Sequence, residues 1–295
     1  MKQILIICML TLGIQSVNAQ VAKVALSHKG NLTMYNAENL SEALNDAIDG
    51  DTIFLNEGTF KGGITISKAI TMVGAGQNTI ISGSITVSYS GTLKARLLDA
   101  LNISGAVNIS NSLTGLIIRK CQFYTFSSVE LTNAVFDRCY VNNEYFRINS
   151  QMKNVQIVNS IINSPRGYAN NVSDVTFSNC NIRYFDGNDY TKATFTNCII
   201  RNWNYSQNDA YFSYCYLYRN NGTNTMQNCK TGYFDWSNTY QYTPDMTGTD
   251  GTVVGINGGT TPFTLVPSNP KVNNYSLNVD TQKKQLTVNI KVSAN

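Results

Sequence analysis

Histidine is almost absent from this 295-residue chain: His28 is the only one. It stands near the N-terminus in a predicted strand, as a surface or cap residue. No imidazole is therefore at hand for a Ser-His-Asp or Cys-His centre in the body of the chain, nor for a His-rich zinc site. No Cys-x-x-Cys pair occurs, so the usual spacing of a tetrahedral thiolate zinc site is missing as well. Charge is scarce, with Asp, Glu, Lys and Arg together only 14% of the residues. The formal net charge is +4 and no dense Lys/Arg cluster exists, which argues against nucleic acid as a partner. The one long apolar run, Ile4 to Leu12, is too short to cross a membrane. With Lys2 before it and Val17-Asn18-Ala19 after it, the run reads as the core of a signal peptide spanning residues 1–19. Cys8 follows Ile7 and does not read as a lipoprotein cysteine. The expectation is export to the periplasm, the cell surface or the medium, with no transmembrane segment.

What the chain has in abundance is a repeat. Between Gly115 and Lys230 one phrase recurs as LIIRKCQF, AVFDRCYV, VQIVNSII, VTFSNCNI, ATFTNCII, AYFSYCYL and NTMQNCKT. Its anchors are Cys121, Cys139, Ser160, Cys180, Cys198, Cys215 and Cys229, about 14 to 21 residues apart, just under the usual range of stacked-repeat folds. Three residues before the anchor stand Ile118, Phe136, Ile157, Phe177, Phe195, Phe212 and Met226. Two after it stand Phe123, Val141, Ile162, Ile182, Ile200 and Leu217. Positions −5 and −3 share one parity, as alternating strand residues do, and positions 0 and +2 share the other. A row of interior side chains that switches parity must turn a corner between −3 and 0. Asn159, Asn179, Asn197 and Asn228 occupy −1, and Asn tolerates the left-handed backbone that a one-residue corner needs. Each phrase thus reads as two short strands meeting at a bend.

Six cysteines in an exported chain usually signal a disulfide framework. Here they recur at one structural position, and Ser160 replaces one of them. A chain of this length can bury a continuous core without staples. Small, weakly polar interior side chains are the simpler reading, although adjacent rungs about 4.8 Å apart are within bridging distance.

Upstream, Asn39-Leu-Ser-Glu42 resembles a capping box. Leu40, Ala43, Leu44, Ala47 and Ile48 follow at helical spacing, with Gly50 as the stop. This helix would cover the open end of a solenoid. Short strands follow: Thr52 to Leu55, Ile64 to Ile66, Ile70 to Val73, Thr79 to Ile81 and Ile85 to Val87. Gly74-Ala-Gly76 leads into a strand rather than a helix, against a nucleotide loop. Ile103, Val107 and Ile109 suggest one or two further rungs lacking the cysteine. After Gly232 come Gly-rich loops. Then Val272 to Val279 and Leu286 to Val292 alternate as a hairpin about Gln282-Lys-Lys284.

The run ALNDAIDGDTIFLNEGTFKGGITISKAITMVGAGQNTIISG resembles the opening of right-handed parallel β-helix proteins of the pectin-lyase-like class. There a capping helix precedes a Gly-Asp strand, a Gly-x-Phe/Tyr turn and a Val/Ile-Gly-x-Gly turn-strand unit. The run GTDGTVVGINGGTTPFTLVPSNPKV is similar to the closing segment of uncharacterised secreted bacterial β-helix proteins. The resemblance spans roughly residues 22–270. It implies an all-β, right-handed parallel β-helix at 20–270 with an N-terminal capping helix, followed by a C-terminal hairpin at 271–295.

Chemistry on such a scaffold has to sit on the outward columns, because side chains fill the inside. At +3 stand Tyr124, Asn142, Asn163, Arg183, Arg201 and Tyr218, and at +1 stand Gln122, Tyr140, Ile161, Asn181, Ile199 and Tyr216. Sugar rings stack on aromatic faces and Arg pairs with carboxylates in a bidentate way. The expected partner is a polysaccharide or cell-surface glycan, held without catalysis by Tyr124, Arg183, Tyr184, Arg201, Trp203, Tyr216 and Tyr218, and no cofactor is expected. The alternative is a polysaccharide lyase or glycoside hydrolase acting on a uronate-containing glycan. Lyases of this class typically hold Ca²⁺ between carboxylates on neighbouring rungs, with Arg or Lys as base. The strand columns here hold few carboxylates, and Ca²⁺ wants several oxygen ligands. Under that alternative Arg183, Arg201, Asp186, Asp189 and Asp209 are the residues to test, and Ca²⁺ the possible cofactor. A structural or adhesion protein with no small ligand is the third reading.

Overall fold

The structure, a computed structural model, describes residues 22–93, 97–142, 146–148, 151–167, 174–186, 193–204, 210–218, 225–234, 246–266, 271–280 and 285–293. At 148, 165–167, 185–186, 202–204 and in the two strands after residue 270, the description is of the backbone alone.

The parity switch within each phrase is a left-handed corner. Ala100, Lys120, Arg138, Asn159, Asn179, Asn197, Tyr214 and Asn228 all lie at −1 and all have φ between 46° and 55°. Asn fills half of these positions, yet Lys, Arg, Tyr and Ala are driven into the same region, so packing on either side outweighs the local cost. The chain before the corner belongs to one fourteen-stranded sheet and the chain after it to another. From the third strand onward, both are parallel across successive rungs, giving a β-helix of about seven turns. Register is in step on both sides of the corner, with one shift further along the second sheet, between Ile103 and Ala106. Leu98, Ile118, Phe136, Ile157, Phe177, Phe195, Phe212 and Met226 pair in line on one wall. Ile103, Phe123, Val141, Ile162, Ile182, Ile200 and Leu217 do so on the other.

These two columns make one continuous core. Phe177, Phe195 and Phe212 stack with ring centroids 4.7 and 4.8 Å apart and planes within 8°. Earlier rungs are packed by Phe126, Phe136 and Phe146, with centroids about 5 Å apart. Each such side chain contributes roughly 1.5–3 kcal/mol by leaving water.

The anchors do more than fill space. The cysteines seen here are free thiols, and all but Cys229 are buried. Every anchor, Ser160 included, donates to the carbonyl two residues before it. Cys139, Ser160, Cys180, Cys198 and Cys215 also reach the carbonyl at −3 of the preceding rung. In return Ser160 Oγ, Cys215 Sγ and Cys229 Sγ accept the N–H of the anchor one rung earlier. The −2 carbonyls also accept the corner N–H of the preceding rung, so the anchor side chain is their second donor, while the anchor N–H of Cys139, Cys198 and Cys215 is satisfied by the next anchor side chain. A hydroxyl can do this as well as a thiol, which explains Ser160. Burial pushes the Cys121 thiol up to about 12 and holds Cys139, Cys198 and Cys215 far above the ordinary thiol range. None of these four is a thiolate at neutral pH.

The N-terminal end departs from the expectation in detail. β1 (Lys23–His28) and β2 (Asn31–Asn36) form an antiparallel hairpin turning at Lys29-Gly30, one residue earlier than predicted. β1 then pairs antiparallel with β3 (Thr52–Leu55). Helix α1 covers Leu40–Asp46 and buries Leu40, Ala43 and Leu44. Asn39 makes no side-chain cap, because a 3₁₀ turn at Ala37–Asn39 leads directly into the helix. The helix stops at Ala47, which turns extended, before Gly50 is reached, and Ile48 is half exposed rather than on the buried stripe. His28 Nδ1 lies 2.8 Å from Asp51 Oδ1, tying hairpin to first rung. Gly74 is a close-approach position: a Cβ there would stand 2.3 Å from the Ala100 carbonyl oxygen. The last two strands, Lys271–Asp280 and Gln285–Ser293, pair antiparallel as a separate two-stranded sheet, as the alternation predicts.

Candidate functional site

Two outward rows follow each corner, and they meet different fates. The row at +1 is covered by the chain itself. After the last rung, residues 246–266 run back along the solenoid as a strap. Met246 and Val254 pack with Ile199, Tyr216 and Tyr218. Ile256, Phe263 and Leu265 pack with Tyr140 and Ile161. Hydrogen bonds fix the strap to successive corners: Lys230 Nζ to Thr247 Oγ1, Thr249 Oγ1 to the Asn228 carbonyl, and Gly255 N to the Asn197 carbonyl. Further along, Ile256 N donates to Asn181 Oδ1 and Asn159 Nδ2 to the Gly258 carbonyl. Gly255, at φ 78°, passes so close that a Cβ would stand 2.3 Å from Asn181 Oδ1. The predicted ligand residue Tyr216 is therefore half buried, with its ring edge-on to Phe234 at 5.8 Å. Tyr218 packs on Tyr233 and Phe234.

The row at +3 stays more open in part. Tyr124 is 49% exposed and Asn142 is exposed. Asn163 is buried, its Nδ2 donating to the Asn142 carbonyl at 2.5 Å while its Oδ1 has no partner. Beside it, Arg183 is half buried. Its Cζ sits 4.9 Å from the centre of the Tyr184 ring, and its Nε is buried with no partner. Strands Asn181–Asp186 and Ile199–Asn204 keep one register along their length, which sets Arg183 beside Arg201 in the next rung. At strand spacing the two backbones are about 4.8 Å apart. A second Arg pair lies on the same sheet, Arg147 opposite Arg166. Trp203 stands opposite Phe185 and Asp186 opposite Asn204 in the same ladder. Their side chains, together with Asp189 and Asp209, lie outside the described residues. Tyr184 is 38% exposed. The structure thus brings Arg183, Tyr184 and Arg201 together, leaves Tyr124 several rungs away, and turns Tyr216 and Tyr218 toward the chain's own C-terminal segment.

A second charged group had no anticipated role. Asp99, Arg119 and Asp137 share the −2 column in register, with Lys120 and Arg138 at the adjoining corners. Arg119 grips Asp99 in a bidentate pair at 3.1 and 2.7 Å, and Arg138 does the same to Asp137 at 2.9 and 2.5 Å. Asp99 and Lys120 are buried. The hydrogen bond that Arg119 donates to Asp99 raises the Arg119 pKa, and burial lowers that of Lys120, helped by Arg138 and Arg119. The signal was present in the sequence: aligning Leu101 with the anchors places Asp99 at −2. The missing cysteine hid that rung.

Among the described residues no group of three or more His, Cys, Asp or Glu side chains is placed to hold a metal ion. No helix among them is long and apolar enough to cross a membrane. No protein-family model, curated protein or solved structure matches the chain.

Proposed function

We propose that this is an exported β-helix protein of the pectin-lyase-like class that binds a polysaccharide or surface glycan, without catalysis, on the +3 face around Arg183, Tyr184 and Arg201. The observation that carries the reading is the Arg183 guanidinium. Its Nε is buried and has no hydrogen-bond partner. An unsatisfied buried charged donor costs about 1–3 kcal/mol or more, and a second Arg in the next rung adds like-charge repulsion. A ligand oxygen arriving at Arg183 offsets both. Tyr184, already stacked on the guanidinium, supplies a flat face for a sugar ring, and Trp203 is the second aromatic assigned to the ligand by its residue type. The signal-peptide pattern of residues 1–19 supports export.

A glycan array spanning neutral and acidic polymers tests this. A hit is expected that Arg201→Ala and Trp203→Ala each weaken by about tenfold, a loss of about 1.4 kcal/mol. Silence across the array sinks the binding reading. New absorbance from unsaturated uronate, on any uronate polymer, would convert it into the lyase reading, with Asp186, Asp189 and Asp209 as the next residues to replace and Ca²⁺ as the ion to add.

A further inference from the structure

The first sheet ends on an open edge. Among the described residues β2 is its outermost strand and pairs only with β1. Natural edge strands are guarded by Lys, Pro, bulges or a covering element, because unpaired backbone groups recruit other strands. β2 reads Asn31-Leu-Thr-Met-Tyr-Asn36, with no charge, no proline and continuous register. Leu32 is 63% and Met34 61% exposed, both on the outer face of the sheet. Across that face Met34 aligns with Ala25 and Phe54, and Phe54 is itself 43% exposed.

The hydrogen-bond phase of this edge is fixed by its neighbours. Lys23 directs its carbonyl to Asn56 N and its N–H to Asn56 Oδ1, on the β3 side. Alternation then turns the backbone groups of Val24, Leu26 and His28 toward β2, where Tyr35, Thr33 and Asn31 meet them. Leu32, Met34 and Asn36 are left with N–H and C=O pointing off the edge. We infer that this edge is a self-association surface, and that its partner is β2 of a second copy of the chain, antiparallel about a two-fold axis through Thr33. In that register Leu32 of each copy faces Met34 of the other, and both residues of each pair have outward backbone groups, so four hydrogen bonds form. Leu32 and Met34 from the two copies merge into one apolar patch on the outer face. The same axis carries exposed Lys29, at the hairpin tip, toward exposed Glu38 of the second copy, one position past its register partner. The interface is isologous and closes as a dimer, with the two solenoids joined at their N-terminal ends. A six-residue edge buries less than the roughly 800 Å² per partner of a stable complex, so assembly is concentration-dependent.

Sedimentation equilibrium of the exported protein from ~1 to ~500 µM, the range in which so small an interface assembles, is expected to show the mass rising toward twice the monomer value. Leu32→Pro removes only an off-edge N–H and is expected to hold the protein monomeric throughout with an unchanged melting temperature. Met34→Lys places a charge on the edge and is expected to do the same. It provides the reading if Leu32→Pro perturbs the hairpin. Thr33→Cys sits on the axis as a pair whose Cα atoms are about 4.5 Å apart, and mild oxidation is expected to link two chains, a product lost when Met34→Lys is added. A wild-type protein that stays monomeric at the highest concentration overturns the proposal, as does a dimer that Leu32→Pro and Met34→Lys leave intact.

Discussion

The inner and outer sides of the same strands obey different rules. Inside, each position repeats with little change: thiol or hydroxyl at every anchor after Leu101, Phe, Ile, Leu or Met at −3, an aliphatic residue or Phe at +2. Every anchor side chain has a backbone partner. Outside, residue types vary from rung to rung. The row at +1 is sealed by the strap, while the row at +3 holds two buried polar atoms without partners, on Asn163 and Arg183. The difference separates two selective demands. Regularity marks where stacking fixes the side chain, and unsatisfied irregularity marks where something other than folding does.

The largest test of this contrast is alkaline pH. The thiols of Cys121, Cys139, Cys198 and Cys215 are neutral in the folded protein, and burial raises their pKa. In the unfolded chain a thiol ionises near pH ~8.5. A folded-state pKa above the unfolded one gives stability that is complete below the unfolded value and lost as pH rises toward the folded value. For Cys121, with its thiol at about 12, the loss reaches roughly 3 kcal/mol by pH ~11. Several such thiols together exceed the stability of an ordinary domain, so the protein is expected to unfold in that range. Urea titrations at stepped pH should show stability falling above pH ~9, with Cys121→Ser reducing the slope by about 1.4 kcal/mol per pH unit. An unchanged slope would mean that the thiols are not the groups sensing pH.

Next in size is the aromatic stack. Phe195 lies between Phe177 and Phe212. Phe195→Ala is expected to cost about 3–5 kcal/mol in urea unfolding, since rungs on both sides prevent collapse into the cavity. Cys180→Ser, which keeps the corner hydrogen bonds, is expected to cost far less than Cys180→Val, which fills the space but leaves carbonyls of Ile157 and Ser178 without that donor. Equal losses for the two would reduce the anchor to a spacer.

The strap gives a smaller effect that separates the two outer rows. At Gly255 the left-handed φ and the near contact with Asn181 Oδ1 both oppose a side chain. Gly255→Ala is expected to cost about 1–3 kcal/mol. It should speed hydrogen exchange at the strap while leaving the Phe177–Phe212 rungs protected. Loss of protection along the whole solenoid would show instead that the strap is integral to the core.

The unequal legibility of these regions has a physical cause. The corner, the two parallel walls and the free cysteines could be read from the sequence because stacking imposes one environment per column, so seven noisy phrases average into a clear pattern. The strap could not. Its contacts join Gly258 to Asn159 and Ile256 to Asn181, far apart in the chain, and each is made once. The −1 asparagines looked like corner formers alone, but Lys120, Arg138 and Tyr214 form the same corner. What Asn159 adds is a side-chain amide that holds the strap. Tyr216 and Tyr218 looked available because an outward strand position resembles a free one until a covering segment is placed over it. Arg183 was legible only as an outward cation. Its orphaned Nε depends on burial by neighbours that no local pattern encodes.

The smallest stability change carries the most functional meaning. If Arg183 is kept for folding, Arg183→Met should destabilise, because it removes the stacking on Tyr184 and a half-buried charge. If it is kept for a ligand, the folded protein loses nothing by the exchange. Met preserves most of the apolar stem, and the buried Nε that finds no acceptor is gone. Like-charge repulsion with Arg201 also disappears. The expected result is a change between zero and about 1.5 kcal/mol in favour of the variant, together with a loss of glycan retention of about tenfold or more. Paired urea unfolding and glycan-binding measurements on Arg183→Met read the two effects separately. Destabilisation with intact binding would return Arg183 to the wall of the solenoid and leave the +3 row as ordinary surface.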